Sequence, residues 1–409
     1  MGAAAALLVL AWLVTFFVHP WSDDSNMDVT HFPPRAQEWI DGKLPYRDVK
    51  FEYPPLAVPL IGLPQLAKIG SYKLGFGLIQ LAFALALMGL CVLAARLTGG
   101  DERRAAFGIA VTPFLAGALM RGYFDLAPIT LTVAALVAIL SERVRLGFAL
   151  LGLAVMTKGF PLIVAPIALA WLLGRGARRQ ALEGLATLAA IVGGLGLAVL
   201  AFSPGGAWYA IHYQTARPLE VESTPATILY FWDWLFGQRG RTFGSFGSIN
   251  LGHAGSGFVT VLCGLLLVAS IAALTYRAAR ENQPRALVLA SLAAVAAFAA
   301  FGKVFSPQYV VWLFPLIALG AAWGQWWIAG TAAVATVATK IEFPGLFNDL
   351  VARRNGTVLL IMERNVAVVL LVGIAIWTLW LGQKTTGTIE AGLHRRVQGS
   401  RREAASHRS

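Results

Sequence analysis

Between Trp21 and Tyr53 the chain carries a dense run of carboxylates: Asp23, Asp24, Asp28, Glu38, Asp41, Asp48 and Glu52. A carboxylate held against a hydroxyl can take its proton, so this stretch can supply a general base. The residue types alone leave open which of Asp23, Asp24 and Asp28 that would be, or whether the run is an ordinary solvated loop. Further along, four separate segments each carry a cation that can hold an anion: Arg121, Lys158, Arg217 and Lys303. Arginine offers a bidentate fork to phosphate and lysine a compact charge. The plain alternative for any one of them is a side chain that snorkels to anchor a helix end. That alternative is weaker for Lys158 and Lys303, which lie in proline-bearing breaks between apolar runs, because broken helices at membrane depth line cavities. Asp125 stands four residues after Arg121 and reads first as its ion-pair partner, with a ligand contact second. His212 can orient a hydroxyl or relay a proton, although a lone loop histidine is more often just polar. Glu220 and Glu222 flank Val221, so an extended backbone would point both carboxylates to one side.

The elements that must position these residues are membrane helices. Of 409 residues, 57% are hydrophobic and only 13% charged, whereas a soluble domain is nearer half apolar and a quarter charged. A water-soluble enzyme, a disordered chain and a secreted disulfide scaffold are therefore excluded. A membrane helix needs ~20 apolar residues, and the chain has room for about a dozen. Open sheets cannot satisfy their backbone in lipid, so the expected class is an all-α polytopic membrane protein. Runs at about 2–18, 74–95, 106–120, 126–140, 146–157, 160–173, 182–202, 257–276, 286–301, 309–323, 326–341 and 359–382 read as spans, the first as a retained signal anchor. Pro54 to Leu66 is too short to span and reads as re-entrant or as a cap on the bundle. Cys91 and Cys263 are isolated thiols in apolar runs, not a disulfide or metal framework.

Basic residues set the orientation. With the N-terminus in the cytoplasm, the cytoplasmic turns hold Arg96, Arg103 and Arg104, then Arg143 and Arg145, then Arg175, Arg178 and Arg179, then Arg277, Arg280 and Arg285. An even number of spans returns the basic tail, 384–409, to the cytoplasm, where it reads as disordered and near anionic lipid. The net charge of +12 belongs to this membrane bias rather than to a nucleic-acid partner. The membrane domain is 1–383, and its long outer loops are 19–72 and 203–256. The candidate residues above all fall on the outer side, which is what a reaction at the outer membrane surface requires. Charges embedded there run against the topological bias and need partners.

Several of these segments carry a family resemblance. Asp28-Val-Thr-His-Phe32, Asp41-Gly-Lys-Leu-Pro-Tyr-Arg-Asp48 and Glu52-Tyr-Pro-Pro-Leu56 resemble the first extracellular loop of glycosyltransferase family 87, polytopic mannosyltransferases of the GT-C superfamily that are common in actinobacteria. Phe124-Asp125-Leu-Ala-Pro128 is similar to that family's short outer turn, Thr157-Lys158-Gly-Phe-Pro161 to its lysine–proline turn, and His212-Tyr213 with Arg217-Pro-Leu-Glu-Val-Glu-Ser223 to its large outer loop. Lys303-Val-Phe-Ser-Pro-Gln-Tyr309, with Trp312 and Pro315, resembles the start of a late helix; Glu342-Phe-Pro344 and Arg364-Asn365 are weaker echoes. The resemblance implies a GT-C-like bundle of about 12 spans in the plasma membrane of a bacterium, with both termini cytoplasmic. It implies transfer of a sugar, mannose, from a polyprenyl-phosphate donor to a glycolipid or glycan acceptor on the outer face, with inversion. By position the base is Asp28, expected to stay ionised near an exposed surface. Arg121, Lys158, Arg217 and Lys303 would hold the departing lipid phosphate. Asp125, His212, Glu220, Glu222, Gln308, Tyr46 and Tyr53 would contact substrate, the two tyrosines by sugar stacking unless they belong to an interfacial belt. Pro33 and Pro34 fall where the family starts an amphipathic helix, which puts the placement of Arg35 and Glu38 in doubt.

The six His and two Cys show no zinc spacing, and there is no P-loop or dinucleotide fingerprint, so neither a nucleotide donor nor a cofactor is expected; a divalent cation at the acidic loop stays open. The rivals are an arabinofuranosyl transferase with a related lipid donor, and a transporter or flippase. Carriers carry internal repeats and a midplane site; here no repeat is visible and the polar residues gather on one face. Residues 237–256, rich in Gly, Ser and Phe, read as a lid or a bare linker.

Overall fold

The computed structural model describes the backbone of residues 1–406 and the side chains of residues 1–381. The protein is an all-α membrane protein with a single β-hairpin among the described residues. Five helices are long and apolar enough to cross a bilayer unaided: Tyr72–Leu97, Arg178–Phe202, Ser256–Arg280, Pro284–Phe301 and Asn355–Leu381. Six further apolar helical stretches are shorter, including Leu126–Leu140, Val144–Thr157, Phe160–Gly174 and Pro307–Ala322. Helix length therefore does not return the expected dozen spans. Proline shortens two of them: Pro161 and Pro307 each open a 3-10 segment ahead of an α-helix, because a proline ring cannot sit inside an α-helix without losing a hydrogen bond. The last helix runs on to Ser406; the expected tail, 384–409, lies outside the described side chains.

Pro284–Phe301 is the buried centre, with 78% of its apolar window inside the protein against 6% for Arg178–Phe202. Its alanine-rich sequence lets neighbouring backbones approach closely. The last helix and Ser256–Arg280 pack on it, while Arg178–Phe202 lies outside, against Val144–Thr157. Arg178–Phe202 thus leaves most of its apolar surface exposed, as a lipid-facing helix does.

The basic turns gather at one end. Glu142 pairs with Arg175, and Arg145 with Glu183. Asp101 N–H donates to the Ala322 carbonyl, and Arg285 lies over the Trp323 ring. Val144–Thr157, Arg178–Phe202 and Pro284–Phe301 all start at this arginine end and run to the opposite one, where the candidate site is built.

The two expected outer loops are largely folded. Residues 19–72 contain helices Asp28–Ile40 and Ala57–Ala67. Pro33 and Pro34 lie inside the first of these. Their missing N–H groups leave the Val29 and Thr30 carbonyls without helical partners, a cost offset by burial of Val29, Phe32 and Ala36 along one face. The doubtful placement of Arg35 is thereby resolved: the helix directs it to Glu52, 2.8 Å away. Residues 203–256 form helices Pro204–Ala216 and Thr224–Phe236 and then an antiparallel hairpin, β1 (Arg241–Ser245) and β2 (Ser248–Gly252). The stretch read as lid or linker is this hairpin. Its turn residues Phe246 and Gly247 both have positive φ, +52° and +64°, the backbone that a two-residue hairpin turn demands.

Candidate active site

Two cavities, of about 560 and 520 Å3, open at the end opposite the arginines. Asp28, Gly247, Ser306 and Gln308 line both, so Asp28 stands at their junction.

Asp28 occupies the first position of its helix, the positive end of the helix dipole. Its Oδ2 accepts a 3.2 Å hydrogen bond from the Tyr53 hydroxyl. Tyr53 is fixed in turn: its carbonyl accepts from the Tyr46 hydroxyl at 2.6 Å, and its ring stands edge-on to Phe124 at 5.0 Å. Tyr46 and Tyr53 both line the larger cavity, and the contact that the structure gives Tyr53 is to the carboxylate itself. Asp28 faces a cavity but is ringed by protein, and burial pushes its carboxyl up to about 6 against the pull of Lys158. A carboxyl near 6 is raised above the ordinary carboxylate value but is still mostly ionised at neutral pH. Asp23 and Asp24 lie away from both cavities. Asp23 caps a turn at Ser25. Asp24 is clamped by Arg121 and Lys73, which hold it below the usual carboxylate range even though burial pushes the other way.

Four candidate cations had been expected together, and two of them meet. Lys158 and Arg217 line the larger cavity with Asp28. Lys158 caps the end of Val144–Thr157 in extended backbone. Its Nζ lies 2.8 Å from both Asp125 oxygens, and Asp125 also accepts from Trp312 Nε1 at 2.7 Å. Trp312 is stacked between Phe160, at 3.9 Å, and Tyr309, at 3.8 Å. Arg217 follows the end of Pro204–Ala216, lies 3.6 Å from Glu220, and its buried Nε has no partner among the described residues. The other two cations stand elsewhere. Arg121 is fully buried and saturated: it donates to the Thr15 carbonyl, to Asp24 and to the Ser22 carbonyl. Its expected pairing with Asp125 is not formed, because Lys158 takes Asp125. Lys303 donates to the Thr215 carbonyl at 2.7 Å and lines neither cavity.

The smaller cavity holds Glu220, Glu222 and Gln308. Leu219 and Val221 hydrogen-bond to β2, but only Glu220 forms a bridge to it, and Val221 and Glu222 turn away into the next helix, so both carboxylates reach the cavity without the extended alternation that was expected. Glu220 accepts from the Phe305 N–H and the Ser306 hydroxyl, each at 2.7 Å. Glu222 is buried beside Arg364, and its Oε1 has no hydrogen-bond partner among the described residues. Burial and the neighbouring Glu342 push the Glu222 carboxyl well above its ordinary range. His212 is exposed, stacks on Trp208 and lies outside both cavities. Sequence reasoning left out Glu52, Ser306 and the turn Phe246-Gly247. The first two sat unassigned inside quoted motifs. The turn could have been found from its two-residue spacing between strand-like runs. Among the described residues no group of three or more His, Cys, Asp or Glu is placed to hold a metal ion.

A helical membrane body with a carboxylate at the junction of two cavities, one of them bearing two cations, has the groups that transfer of a group at a membrane would use. The sequence profile of glycosyltransferase family 87 matches residues 51–307, more than half of the chain. The chain belongs to glycosyltransferase family 87 and is a membrane glycosyltransferase. The matched span contains Glu52, Lys158, Arg217 and Glu222; Asp28 precedes it. No curated protein matches the chain.

Proposed function

We propose that the protein moves a mannosyl group from a polyprenyl-phosphate donor to a lipid-linked or glycan acceptor at the outer face of the plasma membrane. The observation that carries this reading is the position of Asp28 at the junction of two cavities, one of them lined by Lys158 and Arg217. Lys158 and Arg217 line the larger one and would take the negative charge that grows on the phosphate as the sugar leaves. The apolar residues Val155, Met156, Val199 and Ile211 in the same wall suit a lipid donor. Asp28 would remove the proton from an acceptor hydroxyl arriving from the other side, and attack opposite the leaving phosphate inverts the anomeric centre. Tyr53 orients the base, and Asp125 holds Lys158 in the cavity wall. The arginine-rich end, opposite the cavities, would face the cytoplasm together with both termini.

The test is incubation of membranes containing the protein with labelled polyprenyl-phosphate-mannose, followed by extraction of glycolipids. Label should appear with the native chain and be lost with Asp28→Asn at equal protein level. Label transfer from polyprenyl-phosphate-arabinose and none from the mannose donor would replace mannose by a pentose. Solute uptake into vesicles without glycolipid labelling would overturn the transferase mechanism.

A further inference from the structure

The hairpin is a wall that both cavities share. Its turn, Phe246-Gly247, lines the larger one, and Gly244, Ser245, Gly247, Ser248 and Ile249 line the smaller. A two-stranded hairpin on its own is marginally stable, so this one must be held. Among the described residues β1 pairs with β2 alone, and it is largely exposed. It adds one long bond, from the Thr242 hydroxyl to the Val351 carbonyl at 3.5 Å. β2 has backbone bonds to one neighbouring segment: Val221 N–H donates to the Ile249 carbonyl, and Leu251 N–H to the Leu219 carbonyl. The root is held more firmly. Asp233, on the buried face of Thr224–Phe236, lies outside both cavities. One of its oxygens accepts from His253 Nε2 at 3.0 Å. The other accepts from the Gly240 N–H at 3.4 Å and from Arg353. Arg353 Nη1 also donates to the Gly240 carbonyl at 3.0 Å. Gly240 is the residue before β1 and His253 the residue after β2, so both ends of the hairpin are tied to one carboxylate. His253 Nδ1 accepts from the Gly255 N–H at 2.9 Å, which places the ring proton on Nε2, facing Asp233.

We infer that Asp233, with His253 and Arg353, is a clasp that positions the hairpin wall for sugar transfer, and above all for the substrate in the smaller cavity. Five hairpin residues line that cavity and two line the larger one. The inference rests on the reading of the protein as a sugar transferase whose acceptor arrives on the side of the smaller cavity. It adds a set of positioning residues that touch neither cavity. A buried carboxylate is kept when it is paired and hydrogen-bonded, and here its donors are Arg353 and the two ends of the hairpin. Loss of the charge at Asp233, or of the ring at His253, releases the strands at their root. The turn moves with them, because β1 has β2 as its one strand neighbour among the described residues.

The experiment uses the full-length chain in lipid nanodiscs and two readouts. Amide hydrogen exchange by mass spectrometry follows the hairpin, 241–252. Initial rates are measured with labelled polyprenyl-phosphate-mannose as donor and a glycolipid extract of the host membranes as acceptor, each varied. His253→Ala should speed hairpin exchange by about tenfold or more and leave Leu126–Leu140 unchanged, which also reports that the variant is folded. It should raise the acceptor KM about tenfold, with kcat and the donor KM within about twofold of native. His253→Gln, whose amide can donate to Asp233 in place of Nε2, should recover most of both effects. Asp233→Asn should repeat the changes of His253→Ala. Native hairpin exchange in both His253→Ala and Asp233→Asn overturns the clasp. Faster exchange with an unaltered acceptor KM, or with donor and acceptor KM raised alike, overturns the positioning role and leaves the transferase reading intact. If the native chain transfers no sugar, the transferase reading fails and takes the positioning role with it, whatever the exchange shows.

Discussion

At the residue scale the chemistry rests on how Asp28 is ionised. A base must be unprotonated to act, so the transfer rate should climb with pH, with unit slope on a logarithmic plot, and level off above about 6. Lys158 pulls that carboxyl down, so Lys158→Gln should move the acid limb to higher pH as well as slow the reaction; a limb that stays in place would detach Lys158 from the base. Asp28→Asn should lower the rate by about 10²–10⁴-fold, the usual worth of a general base. The same substitution should stabilise the fold. A carboxyl whose folded pKa is raised gives full stability below its unfolded value of 3.8 and loses it as pH rises through about 6. At pH 7.5 the native chain has lost that contribution, which is on the order of 1–3 kcal/mol. Thermal unfolding followed by tryptophan fluorescence should therefore show a higher midpoint for Asp28→Asn at pH 7.5 and a smaller difference at pH 4.

At the scale of elements, broken helices and one hairpin assemble the site. Lys158 reaches the cavity because its helix stops short at Thr157, and Glu220 is placed by its bridge to β2, with Glu222 in the turn that follows. The hairpin turn closes the junction. Gly247 has φ +64°, and a Cβ there would come within 2.8 Å of the Tyr213 hydroxyl. Gly247→Val should cost on the order of 1–2 kcal/mol in backbone strain. Because the added side chain would crowd Tyr213 in the wall of the larger cavity, the variant should also raise the donor KM more than the acceptor KM, which initial-rate kinetics with each substrate varied would read. The hairpin shows why this segment was opaque in the sequence. Five-residue strands of mixed small and aromatic residues carry a weak alternation, and their pairing partner, Leu219 to Val221, lies some 30 residues earlier.

For the whole molecule, the helices that begin at the arginine turns end at the cavities, so sidedness is a property of the entire bundle. Both native thiols, Cys91 and Cys263, are buried, so a single introduced cysteine reports position cleanly. Gln238→Cys, at an exposed site beside the hairpin, should react with a membrane-impermeant maleimide in intact cells. Arg178→Cys, exposed at the arginine end, should react only after permeabilisation. The reverse pattern would put the site in the cytoplasm and refute the orientation.

The sequence by itself determined the helical membrane body, many of the apolar runs and the family. These follow from local quantities: apolar run length, proline breaks and the placement of Lys and Arg. It also named Asp28, Lys158, Arg217, Glu220 and Glu222, which the fold gathers around two adjoining cavities. Tertiary structure alone decided which charges are spent on one another. Arg121 and Asp125 are four residues apart and read as a pair, yet Arg121 closes on Asp24 and Asp125 on Lys158. Sequence spacing ranks neighbours along one helix, whereas partners 97 and 33 residues apart meet only once the helices pack. The titration of Asp28 was decided the same way, since burial is a property of everything around a side chain and none of it is written in the residues beside it.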